Sequence, residues 1–465
     1  MDDTDDTKSA TAPPVDTPHP LRWSILGLLG LAQLMLILDI TVVAIALPDM
    51  GAELGLDRAA LTWVVSGYAL TFGSLMLLGG RAADLFGPKR IVLTGLAVFT
   101  AASLVAGLAT GAPLLLGARI AQGAGAALLS PAALSVVVRL FDGEERNRAL
   151  GIWSALGGGG AALGVLLGGL ITAGPGWAWV FFVNVPVGLA VLVTLARILP
   201  ALPRAGSGSL DLPGAVLVAA ATGSFIYALI RAGDDGWFDG LTIGLGIAAV
   251  AGYLLFGLWQ RRTAAPLMDL ALLGRRSVVA GIFVIAVATA LMVGVFFLGS
   301  FYLQNLQGHG PLLTGTLFLP VALLTMVSAM MSGRLIGKTG ARLLAVGALA
   351  VAAVGFLIPV LGSGTATMVI GVSVAAAGLG ALFVVASATA LGAVAPHEAG
   401  VTSGIVSTFH EFGASAGAAA VSSTAAASLA VGGGAGGFDD AFLVAMGLAA
   451  VSAVIVTWLI PGKQG

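Results

Sequence analysis

The sequence predicts an all-α polytopic membrane protein with fourteen transmembrane helices, built as two six-helix halves with two extra central helices between them. Composition is the first observation, since 58% of the 465 residues are hydrophobic, 9% are charged and the mean hydropathy is +1.04. Ordinary globular domains carry about 25% charged residues. The second observation is a series of apolar runs of about 20 residues, the length that spans a bilayer. The third is a glycine-rich basic turn that occurs once in each half.

Each apolar run predicts one helix, and short polar or glycine-rich segments separate the runs. The first six predicted helices are Trp23–Leu47, Ala59–Leu78, Arg90–Ala109, Pro113–Val138, Ala149–Ala173 and Trp177–Leu199. The central pair is Leu212–Ile230 and Leu241–Trp259. The last six are Val278–Leu303, Leu312–Ser332, Leu343–Leu361, Thr367–Ala393, Val401–Leu429 and Ala441–Leu459. The chain thus divides into a six-helix bundle at 21–200, two inserted helices at 201–264 and a second six-helix bundle at 277–465.

Two segments fall outside the predicted helices. Residues 1–20 are rich in Asp, Thr and Pro. We predict a disordered cytoplasmic tail there, because such a segment buries too little apolar surface to fold. Residues 265–276, APLMDLALLGRR, combine an apolar face with terminal arginines. This pattern predicts a cytoplasmic amphipathic connector, which is either a short helix lying on the membrane surface or an ordinary connecting segment.

The positions of the basic residues predict the orientation of the chain. Of the 21 Lys and Arg residues, all but Arg58, Arg119 and Arg231 fall in the tails and turns on one side of the predicted membrane. Lys and Arg concentrate in cytoplasmic loops of membrane proteins. We therefore expect both termini in the cytoplasm, which requires an even number of spans.

The glycine-rich turn of the first half runs from Gly79 to Arg90, and a weaker copy runs from Gly333 to Arg342. In each copy two glycines stand seven residues apart and basic residues follow. The copies come after helices 2 and 10, which are equivalent positions when the central pair is an insertion between related halves. Such parallel repeats are typical of transporter folds.

Four ionisable residues lie well inside predicted spans: Asp39, Arg119, His410 and Glu411. An Asp or Arg at a helix centre costs about 2.5 to 3.5 kcal/mol on insertion scales, so these residues are functional candidates. Their depths from the outer side, roughly 9 to 12 Å at 1.5 Å per residue, predict one shared polar cavity. A buried carboxylate that alternates between an arginine and a proton is a simple proton carrier. The alternative for each is a fixed structural tie between packed helices.

Helix 5 carries glycines at intervals of about four residues. Gly160, Gly164 and Gly168 share one face, and Gly169 follows directly. This spacing allows close backbone approach to another helix. Generic tight packing is the alternative interpretation.

Composition also excludes several classes of site. The absence of cysteine from the sequence excludes disulfides, thiolate metal sites and cysteine nucleophiles. With four histidines and short loops, the chain has no catalytic constellation and no soluble output domain. A membrane enzyme or sensor is therefore the weakest function class, and no nucleic-acid partner is expected.

Several spans carry short motifs in addition. The turn has Gly80, Asp84, Gly87, Lys89 and Arg90 at the spacing G-x-x-x-D-x-x-G-x-K-R, with Pro88 between. Helix 1 reads LDITVVAIALP from Leu38, helix 2 has Trp63 and Tyr68, and helix 6 opens with WAWVFFVNVPVG from Trp177. Helix 4 contains Leu115, Arg119, Gln122, Gly123, Gly125, Ala126 and Ala127, helix 5 has Gly151 before its glycine row, and helix 13 has His410 and Glu411 before Gly413 and Gly417. Together these motifs resemble the fourteen-helix drug:proton antiporter group of the major facilitator superfamily, from helix 1 to helix 14. Val165 and Ala178 depart from its usual proline and arginine.

The resemblance implies a proton-coupled antiporter that exports amphipathic drugs or antibiotics across a bacterial cytoplasmic membrane by alternating access. Export of an endogenous lipid or secondary metabolite is the alternative. Asp39, Arg119 and Glu411 would couple protons, while Glu411, His410 and Gln122 would face the substrate cavity. The motif around Asp84 would gate the cytoplasmic side, with Gly337 in the equivalent place of the second copy. No cofactor beyond the proton gradient is implied, and the partners would be a small molecule, protons and the lipid bilayer around a monomer.

Overall fold

A computed structural model describes residues 19–204, 210–264, 266–392, 394–395, 398–429 and 436–460. Within these ranges the chain is helical and contains no β-strand. Residues 1–18 of the predicted tail lie outside them.

Six helices form the first half. They are α1 (Arg22–Leu54), α2 (Arg58–Phe86), α3 (Pro88–Gly107), α4 (Ala112–Leu140), α5 (Gly143–Ala173) and α6, which has two segments at Trp179–Phe182 and Asn184–Ile198. Helix α1 runs seven residues beyond the predicted end at Leu47 and stops at Gly55. Gly55 has φ +62° and its N–H bonds to the Gly51 carbonyl, a left-handed cap for which glycine is suited.

The central pair and the second half follow. The pair is α7 (Leu212–Asp234) and α8 (Gly240–Gln260). The second half contains α9 (Arg276–Phe301, continued by a π-turn at Tyr302–Leu306), α10 (segments Pro311–Leu317 and Leu319–Thr339), α11 (Ala341–Leu361), α12 (Thr365–Gly392), α13 (Ala399–Leu429) and α14 (Gly436–Leu459). Each of the fourteen predicted spans has a counterpart here, and the predicted all-α membrane fold is confirmed.

Length and hydropathy support the membrane assignment. Twelve helices of the described ranges are long and apolar enough to cross a membrane. Helices α5 and α13, of 31 residues each, complete the bundle. Many large apolar side chains stay exposed on the outer helix faces, such as Leu254 of α8 at 65% and Trp458 of α14 at 74%. Exposed apolar surface of this extent is expected where lipid surrounds the protein.

The two halves meet along two equivalent seams. Helix α2, the second of its half, packs against α13, the fifth helix of the other half, and α10 packs against α5 in the same way. Bare glycine backbone forms both contacts. A Cβ added at Gly80 of α2 would lie 2.2 Å from the Gly400 carbonyl oxygen of α13. A Cβ added at Gly333 of α10 would lie 2.6 Å from the Asn147 carbonyl oxygen of α5. Larger residues at these two positions would separate the halves.

Helix α7 covers the first seam, because it packs against both α2 and α13 while α8 lies on its outer side. Asp211 fixes the start of α7, where it accepts hydrogen bonds from the Gly214 N–H (2.9 Å), the Trp259 indole (2.8 Å) and the Gln260 amide (2.7 Å). Burial alone would raise the pKa of Asp211, but these bonds outweigh it and lower the pKa. A charged carboxylate therefore joins the base of α7 to the end of α8.

The connector after α8 differs from a surface helix. Among its described residues it forms one 3-10 turn, Leu270–Gly274, and Leu267, Met268 and Leu272 are buried in protein. Arg81 of α2 donates to the Pro266 carbonyl at 3.2 Å. Of the two alternatives that the sequence left open, the described residues correspond to an ordinary connecting segment rather than to a helix lying on the membrane surface. Buried contacts with the bundle satisfy the apolar face that the sequence pattern assigned to lipid.

Both ends of the described chain lie at one face of the bundle. Arg22 at the start of α1 pairs with Glu145 at the start of α5 at 2.9 Å. Asn147 of α5 meets the end of α10 near Gly333. Arg342 at the start of α11 in turn donates to the Thr457 carbonyl at the end of α14. This arrangement agrees with an even number of spans.

Candidate functional site

A cavity of about 740 Å³ lies between the two halves. Helices α1, α2, α4 and α5 line it on one side, and α9, α10, α12 and α13 line it on the other. Its lining includes Phe301 at the end of α9 and Thr314 in the first segment of α10. The cavity thus reaches toward the face opposite the chain ends, while the glycine contacts hold the halves together near the face with the chain ends.

The cavity wall is mainly apolar and aromatic. The rings that line it are Phe72, Trp153, Phe296, Phe297, Phe301, Phe318 and Phe383. Glu411 is the carboxylate of this lining, and the described lining residues include no Lys or Arg. Apolar walls with a few placed polar groups are typical of small-molecule sites. The charge pattern disfavours an anionic ligand.

Glu411 and His410 both line the cavity, as the sequence predicted. Although they are neighbours on α13, the His410 Nδ1 lies 3.2 Å from the Glu411 Oε1. The His410 side chain is 43% exposed and the Glu411 side chain 13%. Gly73 of α2 faces Glu411, since an added Cβ there would lie in ordinary contact with the Glu411 Cβ, at 3.5 Å. The pair is therefore open to the cavity on one side and packed against the first half on the other.

A second polar cluster lies inside the first half, centred on Asp39 of α1 and Arg119 of α4. The two side chains form an ion pair and are 0% and 1% exposed. The other oxygen of Asp39, Oδ1, accepts from the Gln122 amide (3.1 Å) and from the Asn184 amide of α6 (3.1 Å). Three donors from two helices therefore hold the carboxylate.

Arg119 makes further contacts inside the first half. Its Nε donates to the Val64 carbonyl at 2.9 Å, and Nη1 donates to the Gln122 Oε1 at 2.9 Å. The Tyr68 ring covers the guanidinium at 4.4 Å from its centroid, while the buried Tyr68 hydroxyl has no hydrogen-bond partner among the described residues. These hydrogen bonds and the ring contact compensate the buried positive charge of Arg119, which explains how it stays within the apolar bundle.

This geometry corrects two expectations from the sequence. Asp39, Arg119 and Gln122 do not line the cavity, so the shared polar cavity and the cavity position of Gln122 are both wrong. Depth along a helix predicts the level of a residue but not the direction of its side chain. Ile40 and Thr41 of α1 face the cavity, whereas Asp39 points into the first half. Because α1 extends to Leu54, Asp39 also lies deeper than predicted.

Asp84 joins the two halves near the face with the chain ends. It is fully buried at the end of α2 and accepts hydrogen bonds from the N–H groups of Gly400 (3.1 Å) and Val401 (2.8 Å). These two residues lie in the first turn of α13, where backbone N–H groups attract anions. Arg139 of α4 adds an ion pair at 2.6 Å. Asp84 therefore contacts an arginine of its own half and the N-terminus of a helix of the other half.

The other residues of the turn shape its backbone. Gly87 has φ +92°, a conformation that favours glycine, and links α2 to α3. Lys89 donates to the Leu199 carbonyl at 2.5 Å, and Arg90 is exposed. In the second copy, an added Cβ at Gly337 would come no closer than 3.8 Å, to the Glu144 Oε1. The position equivalent to Asp84 is therefore spacious.

Two glycines of the helix 5 row face α1. A Cβ at Gly160 would lie 2.9 Å from Leu34 and Ile37, and one at Gly164 would lie 1.7 Å from the Thr41 Oγ1. The surroundings of Gly168 and Gly169 fall outside what the structure describes. The row thus brings α5 onto the part of α1 that carries Asp39.

Asn184 received no separate role from the sequence. In the sequence, Asn184 is a single amide residue among apolar residues at the start of α6. Because buried polar groups are hydrogen-bonded, such a residue suggests a buried partner.

Known proteins resemble this chain in sequence and in fold. The family model described as Major Facilitator Superfamily matches residues 29–418. The chain belongs to the Major Facilitator Superfamily. This family membership, with its transporter-named relatives, makes the chain a transporter rather than an enzyme.

Named exporters are among its similar sequences. The puromycin resistance protein pur8 of Streptomyces alboniger is 38% identical over 416 residues, which cover 86% of this chain and 81% of that protein. The cephamycin export protein CmcT of Amycolatopsis lactamdurans is 36% identical, with 83% of this chain and 82% of that protein covered. The multidrug resistance protein Stp of Mycobacterium tuberculosis is 32% identical, with 83% and 73% covered. These similarities confirm the predicted resemblance to the drug-exporting members of the superfamily.

Two solved structures share the fold. The human organic anion transporter MFSD10 (TETRAN) superposes with a TM-score of 0.68 at 16% identity, covering 96% of this chain and 100% of that one. The proton:xylose symporter XylE gives the same TM-score at 13% identity, with 95% and 96% covered. At such identities the likeness establishes the fold alone.

Proposed function

We propose that this transporter is a proton-coupled antiporter that exports amphipathic drugs or antibiotics by alternating access. The observation that carries the proposal is the buried Asp39–Arg119 pair, which lies beside the cavity without lining it. A carboxylate in this position can bind and release a proton while a separate cavity holds the substrate. The resistance and export names of the relatives support drugs or antibiotics as the substrates.

In this proposal, both termini are in the cytoplasm of a bacterial cell and the protein acts as a monomer in the cytoplasmic membrane. The contacts of Asp84 with Arg139 and the N-terminus of α13, together with the two glycine contacts, then close the cytoplasmic side. The cavity therefore reaches toward the outside. Proton binding to Asp39 would weaken its ion pair with Arg119 and loosen α1 from α4. The halves could then rock about the seams, and the cavity would open to the cytoplasm.

Glu411 and His410 supply the polar contacts of the substrate in this cycle. A cationic substrate would pair with the Glu411 carboxylate and lie among the aromatic rings, because both interactions favour positive charge. Since Glu411 can also bind a proton, it is a second candidate for coupling. Because Glu411 packs against Gly73, a substrate bound in the cavity would affect the position of α2.

A second candidate function is export of an endogenous metabolite. The relatives include a probable actinorhodin transporter from Streptomyces coelicolor, 32% identical, and the cephamycin exporter. Both names refer to secondary metabolites. A deletion strain that keeps normal drug resistance but retains one of its own metabolites inside the cell would favour this candidate over drug export.

The proposal is tested by transport of puromycin and ethidium in proteoliposomes with an imposed pH gradient. We expect the wild type to accumulate at least one probe against its gradient, and Asp39→Asn to lose this accumulation by more than about tenfold, because it cannot exchange a proton. Asp49→Asn is the matched control, since Asp49 is an exposed residue of the same helix. Full gradient-driven accumulation by Asp39→Asn would contradict the coupling role.

A further inference from the structure

We propose that Asn184 positions the Asp39 carboxylate and sets how tightly this group holds a proton. The inference rests on the proposed coupling role of Asp39 and adds a residue of α6 to it.

The side chain of Asn184, on α6, reaches Asp39 on α1. The first segment ends at Phe182, and Asn184 begins the second segment. Pro186 lies in the first turn of this segment, where its missing N–H costs little. Asn184 is 4% exposed, and its amide Nδ2 donates to the Asp39 Oδ1 at 3.1 Å.

The amide of Asn184 suits both protonation states of its partner. Its N–H group stabilises the carboxylate, and after rotation its carbonyl oxygen can accept a hydrogen bond from the protonated carboxyl. Gln122 donates to the same oxygen but is held by two further bonds, to Arg119 and to the Ser103 hydroxyl. The Asn184 amide makes one described side-chain bond and is therefore freer to turn.

Among the groups that face Asp39, Asn184 is a partner whose hydrogen bond to Asp39 can change. From α4 come Arg119 and Gln122, and from α2 comes Tyr68, whose ring covers Arg119. Helix α5 presents glycines to α1 at this level. Glu411 packs on α2 at Gly73, five residues from Tyr68, and is the other carboxylate near this cluster. Arg119 supplies a fixed positive charge opposite Asp39. The Asn184 amide adjusts the balance between the charged and the protonated form of Asp39.

Removal of the amide tests the inference through the pH profile. In Asn184→Leu the charged form of Asp39 loses one donor, so the proton is held about tenfold more tightly. We expect the midpoint of gradient-driven puromycin transport to move up by about one pH unit. Asn184→Ala also removes the donor but introduces a smaller side chain than leucine. It is used for the same measurement if the leucine variant does not fold.

Thr100→Val is the matched structural control. Thr100 of α3 packs against Gly188, one turn after Asn184, and its hydroxyl bonds to the Leu96 carbonyl rather than to Asp39. This variant disturbs the same contact between α3 and α6 and should leave the pH midpoint in place. A shift in the control equal to that of Asn184→Leu would show a packing effect and overturn the inference.

A second readout is independent of transport. Infrared titration of the purified protein detects the protonated Asp39 carboxyl as the band that Asp39→Asn lacks. The midpoint of this band should move to higher pH in Asn184→Leu or Asn184→Ala and stay unchanged in Thr100→Val. An unchanged or lower midpoint would refute the positioning role, even where transport is gradient-driven. Conversely, a shifted band with transport insensitive to the gradient would refute the proposed antiport and leave the Asn184 inference standing.

Discussion

At the residue scale, the structure separates two carboxylates that the sequence placed at one level. Asp39 is enclosed by Arg119, Gln122 and Asn184 inside the first half, whereas Glu411 borders the cavity with His410. The enclosed group is the candidate for proton exchange because it is buried beside Arg119 and apart from the cavity. The cavity group is suited to contact with a substrate because its side chain is accessible.

Glu411→Gln should therefore affect substrates according to their charge. Glutamine keeps the shape of glutamate but removes the negative charge of the cavity wall, so a cation loses its ionic partner. We expect the apparent affinity for ethidium to fall by about tenfold, which corresponds to about 1.4 kcal/mol. The affinity for the neutral probe chloramphenicol should change by less than about threefold by the same arithmetic.

Concentration dependence of transport in proteoliposomes measures both effects. Equal losses for the cationic and the neutral probe would contradict a charge-selective role of Glu411.

At the element scale, the two glycine-rich turns use different contacts to join the halves. The first uses the Asp84 carboxylate on the N-terminus of α13 together with the Gly80–Gly400 backbone contact. The second lacks the carboxylate but brings Gly333 of α10 against Asn147 and Gly151 of α5. The sequence did not predict this contact, because a glycine has no side chain from which a partner could be inferred.

Asp84→Asn should impair transport while Gly337→Ala should have little effect. Asparagine keeps an acceptor oxygen but loses the charge that pairs with Arg139 and the helix N-terminus, so the closed state is weakened by about 1 to 3 kcal/mol. At Gly337 an added methyl group has room, since its nearest neighbour would be 3.8 Å away. Initial rates of probe transport by equal amounts of folded protein measure the comparison. Equal damage by both substitutions would contradict the asymmetry between the turns.

At the scale of the whole molecule, hydropathy was sufficient to predict the membrane spans. A bilayer requires spans of about 20 apolar residues with satisfied backbone groups, so the fourteen runs had few alternatives. The repeated turn predicted two halves, and contacts of α2 with α13 and of α5 with α10 follow that relation. The position of α7 over one seam could not be predicted, because its apolar sequence fits a lipid-facing helix equally well.

The sequence predicted the residues of the site better than their arrangement. Charge inside an apolar span is enough to single out Asp39, Arg119 and Glu411. The rotation of α1 decides whether Asp39 or Ile40 faces the cavity, and helix packing sets this rotation. The contact of Asn184 with Asp39 depends on how α6 is rotated against α1, which a hydropathy profile does not give.

The central claim is that substrate and protons move in opposite directions through one protein. It is tested most directly by recording the internal pH of proteoliposomes with a trapped pH-sensitive dye, with no imposed pH gradient, while puromycin flows down its own gradient. We expect an inward flow of puromycin to make the lumen more alkaline in the wild type, because protons leave in exchange, and Asp39→Asn to show no such change. Puromycin flow through the wild type without a change of internal pH beyond that of protein-free liposomes would contradict proton antiport.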